Sequence, residues 1–79
     1  MKNLFDLKTG EKCLVDKILS SGSMRRRLLD IGLIENTEVI CVGQSPQGDP
    51  KAFLIRNAVI AIRSEDCKNI LIKDVALWE

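Results

Sequence analysis

Closely spaced turn signals divide this chain of 79 residues into short segments. Glycine, proline, asparagine and serine favour the dihedral angles of tight turns, and clusters of them interrupt regular secondary structure. The breaks lie at Lys8-Thr9-Gly10, Ser20 to Ser23, Gly32, Glu35-Asn36, Pro46 to Pro50 and Arg56-Asn57. No apolar run between them approaches the roughly 18 residues of a membrane span. The sequence therefore predicts a small fold made mostly of strands, without direct membrane insertion.

The composition is that of a folded protein with a thin core. Apolar residues make up 46% of the chain and charged residues 29%, and the formal net charge is +1. A chain of this length buries only about 60 to 65% of the surface that it exposes when unfolded, so we expect a single domain over residues 1–79. A net charge this small creates no overall field that attracts nucleic acid or an anionic membrane, and any basic site must be local.

The N-terminus and the cysteines predict a cytoplasmic protein. Residues Met1 to Leu7 lack the apolar centre of a signal peptide. The chain has three cysteines, Cys13, Cys41 and Cys67, and no C-x-x-C pair. We expect all three to be small buried residues with reduced thiols, which is typical of a reducing compartment.

Five segments have the pattern of β-strands. They are Glu11 to Leu19, Thr37 to Val42, Lys51 to Ile55, Ala58 to Arg63 with Ile60 and Ile62 facing inward, and Asn69 to Lys73. A phase slip in the first strand predicts a bulge near Asp16 or Lys17. The second strand is apolar on both faces, which is typical of a central strand, and Arg56-Asn57 has the length of a tight hairpin turn.

One helix is predicted between the first two strands. Met24, Leu28 and Ile31 have the i, i+4, i+7 spacing that places them on one helix face. Ser23 is the predicted N-cap, and Gly32 provides a left-handed stop.

A single helical turn, Ser64 to Lys68 with Ser64 as its cap, is predicted before the last strand. The segment Val75 to Glu79 is expected either to pack back onto the sheet or to fray. Because no parallel crossover unit is present, the elements predict a mainly β fold, a small antiparallel barrel of five strands with one inserted short helix.

The order of these elements resembles the family of bacterial ferrous iron transport protein A, FeoA. The matching segments are Leu7-x-x-Gly10, Arg27 to Leu33, Thr37-x-Val39, Pro46-x-Gly48-Asp49-Pro50, Ile60 to Arg63 and Ile70. The family has Pro-Gly in place of Glu35-Asn36 and a glycine in place of Asn57. Asparagine accepts left-handed geometry better than other non-glycine residues, so both departures are compatible with the fold. The resemblance implies an SH3-like barrel.

The resemblance also implies a function. FeoA-like proteins are accessory proteins of ferrous iron transport, so we expect an interaction module on the cytosolic part of the membrane transporter FeoB, with no enzymatic activity and no cofactor. The chain has no histidine, and its scattered thiols and its carboxylates at Asp49, Glu65 and Asp66 form no recognisable ligand set. The residues thus predict neither a metal site nor a catalytic base.

An arginine run, Arg25 to Arg27, has two interpretations. It forms either a contact for an acidic protein surface or, together with Arg56 and Arg63, a strip that binds phosphates. The second interpretation supports an alternative function, a nucleic-acid-binding or metal-dependent regulator module. Phe5, Phe53 and Trp78 are the only aromatic residues, too few for base stacking, so we predict that nucleic acid is not a partner.

An apolar groove beside the helix is a further candidate contact, with Met24, Leu29 and Leu33 at its edges, although a core role for these residues competes with it. Asp49 either caps its own turn or presents the stiff loop to a partner. The predicted partner-binding residues are Met24, Arg25, Arg26, Arg27, Leu29, Leu33 and Asp49. The sequence leaves open which surface docks and whether an edge strand supports weak self-association.

Overall fold

A computed structural model describes residues 2–79 and shows five strands in one antiparallel sheet. Met1, part of the predicted domain, lies outside the described residues. The strands are β1 (Glu11–Ile18), β2 (Glu38–Gln44), β3 (Lys51–Ile55), β4 (Ala58–Ile62) and β5 (Ile70–Leu77). Helix α1 (Gly22–Asp30) joins β1 to β2, a four-residue helix α2 (Ser64–Cys67) precedes β5, and a 3-10 turn covers Leu4–Asp6. The predicted mainly β architecture is confirmed.

The sheet has the order β4-β3-β2-β1-β5, which places β2 at its centre as predicted. Arg56 and Asn57 have φ values of 50° and 68°. They connect β3 to β4 in a two-residue turn that is closed by the pair of Ile55 and Ala58, and positive φ at both central residues is typical of such hairpins. The predicted tight hairpin is therefore confirmed.

The two strands at the other end of the sheet carry irregularities. The register of β1 against β5 shifts between Val15 and Lys17, so the predicted bulge near Asp16 is confirmed. β5 continues to Leu77, beyond its predicted end, and Leu77 pairs with Glu11. Asp74 adopts a φ of 54°, and this interruption of the strand explains why the sequence pattern ended early.

Helix α1 begins earlier than predicted. Its N-cap is Ser21 rather than Ser23, and Ser21 makes no capping hydrogen bond through its side chain. Gly22 has a φ of 62°, a conformation that glycine adopts without a Cβ penalty, and the chain therefore enters the helix at this residue. At the other end Gly32 has a φ of 89° and stops the helix as predicted.

The core lies between the sheet and α1. Its buried side chains are Leu4, Leu7, Cys13, Val15, Leu28, Leu33, Val39, Cys41, Phe53, Ile55, Ile62, Cys67, Ile70 and Ile72. All three cysteines are buried free thiols, as predicted. Ile62 is buried and Ile60 packs half-buried against the core, which confirms their inward orientation. Among residues 2–79 no helix has the length and apolar character needed to cross a membrane.

Candidate functional site

A groove of about 480 Å³ separates α1 from β4. Its apolar walls consist of Met24 and Leu28 from α1, the C-cap residue Ile31, and Ile60, Ala61 and Ile62 from β4. The i, i+4, i+7 spacing directs the helical residues towards the sheet, and alternation along β4 directs Ile60 and Ile62 inward. Because β4 is the last strand of the sheet, no further strand fills the space beneath the helix.

Charged side chains surround this apolar groove. Arg27 and Arg63 contribute positive charges, and Glu65 and Asp66 of α2 contribute negative ones. The formal charges at the rim sum to zero, which does not favour a polyanion such as nucleic acid. An apolar centre with a mixed polar rim is the usual composition of a protein-binding surface.

The residues that line the observed groove differ from those that the sequence predicted. Met24 lines the observed groove, but Leu29 lies on another side of α1, 43% exposed, beside Ile18 and Ile34. Leu33 is 0% exposed, because the left-handed Gly32 turns the chain back beneath the helix. The competing core role is therefore confirmed for Leu33, whose buried side chain is not accessible to a partner.

The arginine run does not form one surface. Consecutive residues of an α-helix project about 100° apart. Arg25 accordingly turns back, and its Nη1 donates a hydrogen bond to the Ile18 carbonyl oxygen at 3.1 Å. Arg25 and Arg26 both border a shallow hollow on the outer side of α1, whereas Arg27 reaches the groove. Of the three, Arg27 alone lines the groove together with Met24.

Arg56 is engaged within the fold rather than in a strip with Arg63. Its Nε donates a hydrogen bond to the Gly32 carbonyl oxygen at 3.1 Å, and the Thr37 hydroxyl donates to the same oxygen at 3.2 Å. The Ile34 amide donates to Thr37 Oγ1 at 3.0 Å. These bonds connect the β3–β4 hairpin to the turn after α1, so the phosphate-binding strip considered from the sequence is not formed.

Asp49 caps α2 rather than its own turn. Its Oδ1 accepts a hydrogen bond from the Ser64 amide at 2.9 Å, and its Oδ2 accepts one from the Ser64 hydroxyl at 3.0 Å. The predicted cap of α2, Ser64, is thus the first helical residue, and the N-cap position is Arg63. The Pro46 to Pro50 turn is instead held by Ser45, whose hydroxyl donates to the Asp49 carbonyl oxygen at 2.7 Å.

Replacing Asp49 is therefore expected to loosen α2 at the rim of the groove. Asp49→Ala leaves the first amide of the helix without its acceptor, and loss of such a cap costs about 1 to 2 kcal/mol in the free energy of unfolding. Urea denaturation measures this loss. Asp30→Ala removes the same charge from an exposed position outside this network and is the matched control. Equal losses in the two variants would contradict the capping role.

The buried thiols are poorly suited to nucleophilic or metal chemistry. Burial, reinforced by nearby acidic groups, raises the pKa of Cys13 to about 12, and burial raises that of Cys67 to about 12 despite the opposing effect of Lys51. Both thiols are therefore neutral near pH 7, whereas the thiolate is the reactive form. Within residues 2–79 no group of three or more His, Cys, Asp and Glu side chains is arranged to hold a metal ion.

The strand wall of the groove was not predicted as a site. The available signal was the uncharged sequence of β4, Ala58 to Ile62, which is unusual for a strand at the edge of a sheet. The sequence pattern identified the strand but not its position at the edge, so this signal could not be interpreted before the topology was known.

Comparison with known proteins identifies the family. The FeoA domain matches residues 2–74. A curated relative, the Fe(2+) transport protein A/Fe(2+) transporter FeoB fusion protein of Porphyromonas gingivalis, is 27% identical over 67 residues, which is 85% of this chain and 8% of the relative. This chain therefore spans less than a tenth of that relative's length.

Solved structures share the fold. The FeoA protein from Chlorobium tepidum has a TM-score of 0.85 and 25% identity, covering 90% of this chain and 68% of its own. FeoA of Stenotrophomonas maltophilia, solved with zinc and described as a procaryotic SH3 domain protein, has a TM-score of 0.82 and 21% identity, covering 92% and 91%. The expected SH3-like fold is thus confirmed, and with the domain match over nearly its whole length the chain belongs to the FeoA family.

Proposed function

We propose that this protein is a cytoplasmic accessory component of bacterial ferrous iron uptake that binds the cytosolic part of the transporter FeoB. The observation that carries the proposal is the P. gingivalis fusion protein, whose name joins transport protein A to FeoB in one chain. A covalent connection keeps two modules at high effective concentration, which is useful when they act on each other. Family membership supports the same role for this chain.

The groove between α1 and β4 is the proposed docking surface. Met24 is half-buried at its edge, and the flexible methionine side chain adapts to the shape of an apolar partner residue. Arg27 and Glu65 lie at the rim, where they favour a segment that carries one apolar side chain flanked by charges of both signs. The proposed role is binding alone, since the buried thiols offer no nucleophile and the chain has no histidine.

Two aspartate substitutions on α1 test the docking surface. Met24→Asp is expected to weaken binding to the FeoB cytosolic domain at least about tenfold, because a charge replaces an apolar contact of the proposed interface. Leu29→Asp introduces the same charge on another side of the helix and should retain binding. Calorimetry with the isolated domain, and co-purification with full-length FeoB in detergent, measure the effect.

A second pair of substitutions separates a loss of binding from a loss of folding, because Met24→Asp introduces a charge at a half-buried position. Arg27→Glu at the groove should weaken binding, whereas Arg26→Glu on the outer side of α1 should not; both positions are exposed. Binding that is unchanged in folded Met24→Asp and Arg27→Glu would exclude the groove. No association of the wild-type protein with either form of FeoB would overturn the proposed function itself.

A further inference from the structure

Strand β4 has backbone groups that point away from the sheet. The two-residue turn makes Ile55 and Ala58 a hydrogen-bonded pair, and hydrogen-bonded pairs recur at every second position of an antiparallel ladder. The N–H and C=O groups of Val59 and Ala61 are therefore directed away from β3. No turn, cap or side chain within residues 2–79 provides them with a partner.

The opposite edge of the sheet is protected, and β4 is not. At β5 an isolated bridge joins Asn3 to Leu71, the Ile72 amide donates a hydrogen bond to the Lys2 carbonyl oxygen at 3.0 Å, and Asp74 interrupts the strand with its positive φ. Natural sheets protect their edges by such means or by charged side chains. β4 has neither a covering segment in its ladder nor a charge, and Val59 is 66% exposed.

We propose that β4 pairs antiparallel with β4 of a second copy of this chain, about a twofold axis at Ile60. In this register Val59 lies opposite Ala61 of the second copy. Both residues direct their backbone groups outward, so they exchange N–H···O bonds, and the symmetry repeats the exchange on the other side of the axis. The strand is thus self-complementary in its hydrogen bonding.

The charges and the apolar side chains fit the same register. Arg63, the residue after β4, lies opposite Asn57 of the second copy, so no like charges are placed across the pair. Ile60 is half-buried beside the groove, and pairing places the two Ile60 side chains next to each other on that face. An uncharged, unprotected edge strand favours aggregation of a monomer, whereas in the dimer β4 is an interior strand of one continuous sheet.

Analytical ultracentrifugation of the full chain over a wide concentration range tests the proposal, and a concentration-dependent dimer is expected. Ala61→Pro removes one outward N–H from each copy while leaving the β3 ladder intact. Two hydrogen bonds of the dimer are lost, each with a factor of about five, so self-association should weaken roughly twenty-five-fold. Val59→Lys places a charge at the exposed edge of the sheet and should also weaken self-association.

Two further measurements make the test specific. Val42→Lys places the same charge on the central strand β2 at another exposed apolar residue, and the dimer should persist. In the wild-type protein the amides of Val59 and Ala61 should gain protection from hydrogen exchange as concentration rises. A monomer at every concentration, or a dimer unaffected by Val59→Lys, overturns the proposal. Ile60 and Ala61 also line the groove, so the dimer and a docked FeoB segment share this edge of the sheet. Neither measurement involves the transporter, so both test self-association alone.

Discussion

Gly32→Ala is expected to lower the free energy of unfolding by about 2 to 3 kcal/mol. Gly32 has a φ of +89°, and a Cβ added there would lie 2.8 Å from Arg56 Nε and 3.0 Å from Arg56 Cδ. The left-handed conformation costs a non-glycine residue about 1 to 2 kcal/mol. Displacing Arg56 adds about 1 kcal/mol, because its hydrogen bond to the Gly32 carbonyl oxygen is lost.

Gly10 is the matched control for the backbone contribution. Its φ is +91°, and a Cβ added there would meet nothing within 4 Å. Gly10→Ala should therefore show the conformational cost alone, and in an Arg56→Ala background the cost of Gly32→Ala should fall to a similar value. Urea denaturation of the wild-type protein, the three single variants and the double variant gives the five free energies of unfolding that the comparison needs. If the two glycines cost the same in the otherwise wild-type chain, the contact with Arg56 has no part in holding the hairpin to α1.

The sequence predicted the local elements well because their determinants are local. Gly32 and Asn36 mark left-handed positions, Arg56-Asn57 has the length of a tight turn, and alternation identifies the strands. The phase slip at Asp16 was visible for the same reason, since a bulge changes the period of the strand itself. Each of these signals lies within a few residues of the feature that it predicts.

The candidate site was predicted only in part because it depends on distant residues. Asp49 finds its partner at Ser64, on another element, and turn chemistry within the loop does not reveal this pairing. Whether Leu33 is exposed or buried depends on how the chain turns after α1. The groove needs α1 and β4 to face each other, and no local pattern states that β4 is an edge strand. Only Met24 and Arg27 among the predicted contact residues line it.

Alkaline pH is expected to unfold this protein through its buried thiols. Burial raises the pKa of Cys13 and of Cys67 from 9.0 to about 12. Between these values the unfolded chain releases protons that the folded chain retains, so the free energy of unfolding falls as pH rises. Each thiol contributes about 1.4 kcal/mol per pH unit, and the two together about 2.7. Below pH 9 both states are protonated and this contribution is constant.

The expected loss is comparable with the whole stability of the domain. A chain of this size has roughly 4 to 12 kcal/mol of stability, and about two pH units above 9 remove about 5 kcal/mol.

Urea denaturation from about pH 8 to about pH 11 measures the slope of the free energy of unfolding against pH. Cys13→Ala lowers stability at every pH because it leaves a cavity, but it also removes one titrating group, so the slope should fall by about half. The cavity lowers the free energy of unfolding by the same amount at every pH and leaves its slope against pH unchanged. Cys67→Ala should reduce that slope by the same amount as Cys13→Ala. A double variant that retains the wild-type slope would show that groups other than these thiols cause alkaline unfolding.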